Sequence, residues 1–287
     1  MIRNLAPIAL FCFAGALSAQ MASTPLTVQP IPGGVYFVKG GSGANTGFIV
    51  GKKEVIVIDA KMTEAASKEV LAEIKKVTPN PVGHIILTHG DGDHVNGLSG
   101  YPKGLPIIAH ASTKRDMEEA FKTPQMSALT AYLPNDTLTA DRQMTIDGVN
   151  LRLRYSGSAH TSGDLVVYLP DQKVAFVGDL VFVGRDPLIH VQKGGTSAGL
   201  VKTLNGILAL DADTFLSGHA DPLTKNDVKA ALASIEEKRA KVAGLVKQGR
   251  SLDDVKKEMG VPVVAAGGRG FPSLAEVIYQ ELTPKKP

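Results

Sequence analysis

The sequence predicts an α/β protein in which two similar halves, residues 25–155 and 156–282, pack their sheets together and carry their helices outside. Three observations point there. Short runs rich in β-branched residues alternate with stretches of helical periodicity. Strands precede helices in both halves. No stretch between the halves is low in complexity or rich enough in Pro and Ser to be a linker, so 25–287 reads as one continuous domain with a helical C-terminal tail.

Residues 1–19 stand apart as a secretory signal. Arg3 gives a positive start, Leu5–Ala19 is almost wholly apolar, and small and polar residues follow. The apolar run is shorter than the roughly 20 residues of a spanning helix. Cleavage near Ala19–Gln20 is therefore expected, giving a periplasmic or secreted chain with no membrane anchor. It would also remove Cys12, the single cysteine. One cysteine already excludes a disulfide scaffold, a cysteine zinc finger and an iron–sulfur site.

The elements follow in order. Val35–Lys39, Gly47–Val50 and Glu54–Asp59 read as a meander of short strands split by Gly and Lys turns. Thr63–Val77 places Ala66, Val70, Leu71, Ile74 and Val77 at helical spacing. Val82–Thr88 (VGHIILT) is a compact apolar strand, and Leu105–Ala109 is another. Ser112–Phe121 reads as a helix with Ser112 as its cap, and Lys122–Asp141 as the longest irregular insertion. Arg142–Ile146, Val149–Tyr155, Leu165–Leu169 and Lys173–Val177 read as strands, the last two joined in a hairpin by Pro170–Asp171–Gln172. Ser197–Ala209 is an amphipathic helix, Thr214–Ser217 a short strand and Asp227–Gln248 a long charged helix. Ser251–Met259 and Pro272–Leu282 complete the tail.

Charge and composition narrow the function. Lys and Arg number 31 against 28 Asp and Glu, a net +3 with no basic cluster. That argues against a nucleic-acid partner. With no Trp and few aromatics, stacking on bases or sugars is not expected. A small-molecule substrate fits better.

Histidines and aspartates carry the chemistry. Strand Val82–Thr88 runs into His89-Gly-Asp91-Gly-Asp93-His94, four candidate ligands within six residues. Residues i and i+2 at a strand end face the same way, so His89 and Asp91 can share one ion. Gly90 and Gly92 would allow the unusual backbone that returns Asp93 and His94 to the same place. A solvated acidic turn would explain the carboxylates alone, and a calcium loop would not use two histidines. Mixed N/O donors suit a zinc- or iron-like ion. Three more candidates follow β-rich runs, where α/β folds place their functional loops. They are His160 in GSAHTSGD, Asp179 in FVGDL and His219 in SGHAD. Ser158 and Ser162 flank His160 without a local base and read as loop polar groups.

Together these residues resemble the metallo-β-lactamase superfamily, whose hallmark is H-x-H-x-D-H after a buried strand, then a G-H-T-x-G-D-like loop, an Asp or Cys after Gly, and a final G-H. The resemblance covers Val35 to Asp221 and implies a four-layer αββα metallo-β-lactamase sandwich. It implies two divalent metal ions, with zinc the first choice and iron or manganese as alternatives. His89, Asp91 and His160 would hold the first ion. Asp93, His94 and His219 would hold the second, with Asp179 bridging. Asp59, ending VIVID, would be a hydrogen-bond acceptor behind the ligands. The implied reaction is hydrolysis, in which a water between the metals attacks a carbonyl of a β-lactam, lactone, ester or thioester, with Asp93 as the catalytic residue that orients it.

Two departures matter. Asp91 stands where the common motif has histidine, and three carboxylates make a more neutral site, a weaker Lewis acid that prefers harder metals. Phe182 stands where many β-lactamases have a Lys that grips the substrate carboxylate. Arg185, His190 and Lys193, in the loop Val183–Thr196, are candidate substrate-binding substitutes. Two readings from other classes stay open. One is a di-iron redox or oxygen-handling protein, for which a flavin or rubredoxin module would be expected. The other is a non-catalytic module keeping metal for structure.

Overall fold

The computed structural model describes residues 24–262 and 270–284, so the expected signal and its cleavage site lie outside the described residues. Among those described, no helix is long and apolar enough to cross a membrane.

The first sheet begins as an antiparallel meander of β1 (Thr27–Ile31), β2 (Val35–Lys39), β3 (Thr46–Val50) and β4 (Val55–Ile58). Helix α1 (Glu64–Val77) then carries the chain back so that β5 (Val82–Ile86) pairs parallel to β4. Thr63 starts that helix by accepting from Ala66 N, and Glu64 and Lys75–Lys76 complement its dipole at either end. After the single turn α2 (Gly92–Val95), strand β6 (Ile107–His110), helix α3 (Ala111–Ala120) and strand β7 (Asp136–Leu138) complete seven strands in chain order.

The second sheet comprises β8 (Arg142–Ile146), β9 (Val149–Arg154), β10 (Val166–Leu169), β11 (Val174–Gly178) and β12 (Thr214–Ser217), in the order β12-β11-β10-β9-β8. Hairpins make β8 to β11 antiparallel. The crossover through α4 (Ser197–Leu208) makes β12 parallel to β11. Helices α5 (Lys225–Lys247), α6 (Leu252–Glu258) and α7 (Leu274–Leu282) follow.

Three apolar layers hold these parts together. Phe37, Ile49, Ile56 and Ile86 of the first sheet meet Leu151, Leu153, Phe176 and Leu216 of the second. Val70, Ile74, Met117 and Phe121 cover the outer face of the first sheet. Leu200, Leu204, Ile235 and Ile278 cover that of the second. The result is the αββα sandwich that the resemblance implies.

Several boundaries differ from the sequence reading. The two sheets divide between Leu138 and Arg142, earlier than residue 155, so β8 and β9 belong to the second sheet. In β9, Val149, Leu151 and Leu153 alternate with exposed Asn150, Arg152 and Arg154 and point at the interlayer core. The insertion Lys122–Asp141 holds a 3-10 turn, Ser127–Tyr132, and the edge strand β7. Helix α3 is capped by the His110 ring, whose Nδ1 accepts from Ser112 N, rather than by Ser112.

Candidate metal centre

The ends of β4, β5, β11 and β12 open on one edge of the sandwich. Asp59, His89, Asp179 and His219 follow those strands, and His160 lies in the loop after β9. All seven expected ligands meet there. His89, His160 and Asp179 bring donor atoms within 4.8 Å of one another, as do Asp93, His94 and His219. His219 Nε2 lies 3.1 Å from Asp179 Oδ2 and 3.2 Å from Asp93 Oδ2, and His94 Nε2 lies 3.2 Å from Asp179 Oδ1. Asp179 thus belongs with His89 and His160 and also contacts both histidines of the other cluster, one through each carboxylate oxygen.

Local structure aims these atoms. Asp93 and His94 are turned inward by helix α2, with His94 N donating to Asp91 O at 2.9 Å. Neither Gly90 nor Gly92 has a positive φ, so one helical turn, not left-handed glycine, makes the return. Glycine is needed instead at Gly178, with φ +50°, and at Gly218, where a Cβ would stand 2.3 Å from Asp179 Oδ1.

Three of the imidazoles are held from behind. Asp59 accepts from Thr88 N at 2.8 Å and from Thr88 Oγ1 at 2.7 Å, and its Oδ2 lies 2.8 Å from His94 Nδ1. His160 Nδ1 lies 2.7 Å from Leu188 O, and His89 Nδ1 lies 3.1 Å from Thr88 Oγ1. Donation from each Nδ1 leaves Nε2 as a lone pair toward the cluster. His89 Nε2, His94 Nε2 and Asp179 Oδ1 are buried with no hydrogen-bond partner. Buried polar atoms rarely stay unsatisfied. Orphaned imidazole nitrogens beside carboxylate oxygens fit a divalent cation.

Without a cation the carboxylates favour protonated histidines. Burial pushes the His160 pKa down, but the hydrogen bond it donates to Asp91 and the charges of Asp164 and Asp179 outweigh burial and leave a pKa of about 9. Hydrogen bonds that its ring donates to Asp179 and Asp93 raise His219 to about 9. Burial opposes, yet Asp179 and Asp59 carry His94 well above its ordinary value. Burial likewise opposes ionisation of Asp91, Asp93 and Asp179, and the histidines overcome it, holding all three below the usual carboxylate range.

The loop candidates fall in two places. Arg185 lies over the Phe182 ring, 4.4 Å from its centroid, and Phe182 lies nearly parallel to His219 with centroids 6.0 Å apart. His190 and Lys193 turn onto Asp91: His190 Nε2 is 2.8 Å from Asp91 Oδ2, and Lys193 Nζ donates to Asp91 Oδ1 at 2.6 Å. Sequence reasoning gave them no such partner. It also gave no role to Phe271, whose ring meets that of His190 edge-on, centroids 4.9 Å apart. A cavity of about 780 Å³ reaches the centre beside His219, lined by Lys39, Asn45, Val183 and Asp221 among others.

A family model described as the metallo-beta-lactamase superfamily matches residues 40–219. The chain belongs to the metallo-beta-lactamase superfamily. Within it, the chain is 25% identical over 238 residues to the 2,4-dinitroanisole O-demethylase subunit alpha of Nocardioides sp. (strain JS1661), covering 81% of this chain and 70% of that one. It is 22% identical over 265 residues to a linear primary-alkylsulfatase of Pseudomonas sp. (strain ATCC 19151), covering 74% of this chain and about half, 49%, of that enzyme. The solved metallo-beta-lactamase from Pontibacter korlensis superposes with a TM-score of 0.63 at 20% identity, over 74% of this chain and 99% of that one. At that identity the likeness is one of fold. Superfamily membership makes the chain hydrolase-like, with a centre for divalent metal.

Proposed function

We propose that the protein is a secreted or periplasmic dinuclear metallo-hydrolase that opens a carbonyl substrate, an ester, lactone, thioester or β-lactam, with zinc as its metal. The observation that carries this is the pair of donor clusters joined by Asp179, with buried Nε2 atoms left unpartnered and a cavity opening beside His219. His89, Asp91 and His160 would hold one ion, and Asp93, His94 and His219 the other. Such ions, when bound, supply Lewis acidity and an acidified water.

The chain's own residues do the rest. Asp59, Leu188 O and Thr88 fix the ring orientations, so the donors need little reorganisation. Asp93 is partly exposed and can accept a proton's hydrogen bond from the attacking water while it binds metal. Phe182 lies along His219 and gives that flank an apolar face. Arg185, over the same ring, offers a positive charge to an anionic substrate group. The secretory reading of residues 1–19 belongs to the same proposal, and N-terminal sequencing of the exported protein tests it.

A second reading has one observation in its favour. The two curated relatives above match most of the chain, and one is named for O-demethylation of 2,4-dinitroanisole, the other as an alkylsulfatase. The same centre would then hydrolyse an aryl ether or a sulfate ester. Zinc-reconstituted mature protein should be assayed against chromogenic esters, lactones, thioesters, β-lactams, alkyl sulfates and nitroaryl methyl ethers. Turnover of a carbonyl substrate, abolished by chelation and by H219A, is expected. Turnover confined to the sulfate or ether would overturn the first reading in favour of the second, and no turnover of any class would overturn both.

A further inference from the structure

The motif places Asp91 where an imidazole is common, yet an imidazole stands at that place in space. We propose that His190 is a ligand of the first metal ion, supplying from the loop after β11 the nitrogen donor that position 91 does not. The inference rests on the metal-centre reading above, and on four observations about His190 itself.

First, His190 Nε2 is buried and has no hydrogen-bond partner, the condition it shares with His89 Nε2 and His94 Nε2 in the same centre. Second, it lies 2.8 Å from Asp91 Oδ2, the oxygen that His160 Nε2 approaches at 3.1 Å and His89 Nε2 at 3.6 Å. Three imidazole nitrogens therefore converge on one carboxylate oxygen, and Asp91, His160 and His190 bring donor atoms within 4.8 Å of one another. The His190 approach, the shortest of the three, is to the oxygen that two other imidazole nitrogens also face. A shared cation accounts for that approach better than an imidazole donating to the carboxylate.

Third, the other oxygen of Asp91 is taken. Lys193 Nζ donates to Oδ1 at 2.6 Å and to Gly90 O at 3.2 Å, leaving Oδ2 as the oxygen free for the ion. Fourth, the backbone that carries the ring is held. His190 N donates to His160 O at 2.8 Å, and His190 O accepts from Lys193 N and Gly195 N at 2.9 and 3.0 Å. Gly195 permits that contact, because a Cβ there would stand 2.2 Å from His160 O. The rings of His160 and His190 meet at 86°, with centroids 4.8 Å apart. A substrate-gripping role would need a solvent-facing nitrogen, whereas this side chain is 11% exposed. His190 would then stand with His89, His160, Asp91 Oδ2 and the shared Asp179 around the first ion, a set richer in nitrogen than the linear motif suggests, which favours zinc.

The test reads metal, not turnover, so it can fail while the hydrolytic reading stands. Wild type and H190A are titrated with zinc in chelator-buffered solution, and bound metal is counted. In wild type, the Nε2 resonance of His190, assigned by its absence from the variant's spectrum, is followed by long-range 1H–15N NMR. Loss of an outer partner of a metal ligand costs about 10–100-fold in affinity. Loss of a ligand should exceed that, so H190A should bind the first ion more than about 100-fold more weakly while the second site is retained. The wild-type Nε2 should shift to the metal-bound range on zinc addition. If H190A does not fold, as judged by circular dichroism of the metal-free protein, the wild-type NMR shift decides alone. Two ions bound by H190A within about 100-fold of wild-type affinity, or an Nε2 resonance unmoved by saturating zinc, would overturn the proposal.

Discussion

Chelating the metal should make the protein's stability fall as pH rises from 6.5 to 8. His160 is fully buried, and its pKa stands at about 9 in the metal-free fold against about 6.5 unfolded. A raised histidine stabilises the fold fully below its unfolded pKa and loses that contribution as pH passes through its folded pKa. At about 1.4 kcal/mol per pKa unit, the whole effect for His160 is about 3 kcal/mol, roughly half of it lost between pH 6.5 and 8. His219 is also at about 9, but its side chain is 31% exposed, so about half the His160 figure is appropriate after solvent screening. The expected loss from these two is about 2 kcal/mol, a substantial share of the ~5–15 kcal/mol that holds an ordinary domain together, and His94, also raised, adds to it in the same direction. The depressed carboxylates Asp91, Asp93 and Asp179 contribute above an ordinary carboxylate pKa and lose it only as pH falls, so they are constant in this window. Lys61 works in the opposite sense. Burial lowers it to about 8, so its unfavourable charge is relieved mainly above pH 8, and the window ends there. Urea unfolding of chelator-treated protein at the two pH values measures the change. The zinc-loaded protein should move the other way, because metal competes with protons for the same nitrogens. Metal-free stability that is flat or rising from pH 6.5 to 8 would refute the protonated-cluster reasoning.

Three further outcomes follow from the same geometry. Zinc binding at pH 7 should release about three protons, from His94, His160 and His219, since all three are raised in the metal-free protein; calorimetry in buffers of different ionisation enthalpy should give this count, and a release near zero would contradict it. D59N should weaken zinc binding by about 10–100-fold, because the 2.8 Å contact behind His94 orients its ring; unchanged affinity in chelator competition would remove that role. G218A should lose metal at the second site, since its Cβ would stand 2.3 Å from Asp179 Oδ1, and elemental analysis giving two ions per chain would show that the loop yields instead.

How much of this was legible in sequence depended on whether the signal was local. The strand Val82–Ile86 and the ligands beyond it are adjacent in the chain, so apolar run and donor spacing read together. Asp59 was legible through the family resemblance, as the residue that ends VIVID. The assignment of β8 and β9 to the second sheet was not, because hairpin partners and not local pattern decide it. Strand β1 escaped notice since, of TVQPI, only Ile31 is buried. Helix α2 is too short for periodicity. The approach of His190 and Lys193 to Asp91 joins residues about a hundred positions apart, and depends on Gly195 letting two loops touch. No spacing rule reaches that far.

Lys193 also changes the charge argument drawn from Asp91. Counted in sequence, a carboxylate in place of histidine makes the centre more neutral by one charge. In the fold that carboxylate carries a lysine at 2.6 Å, so the ions face an Asp–Lys pair whose net charge is zero, as an imidazole's would be. Restoring the motif is therefore not a neutral repair. D91H alone would remove the anion and leave the Lys193 ammonium beside two cations, and like charges so placed cost on the order of several kcal/mol. Lys193 is 29% exposed and can swing partly into solvent, so the expected loss is more modest: zinc should bind D91H about tenfold more weakly or worse, tenfold being about 1.4 kcal/mol. The double variant D91H/K193M removes both charges and should recover most of that loss. Competition against a chelator of known affinity measures both proteins. If D91H binds zinc as tightly as wild type, or if the double variant binds no better than the single, the Asp91–Lys193 pair does not set the electrostatics of this centre.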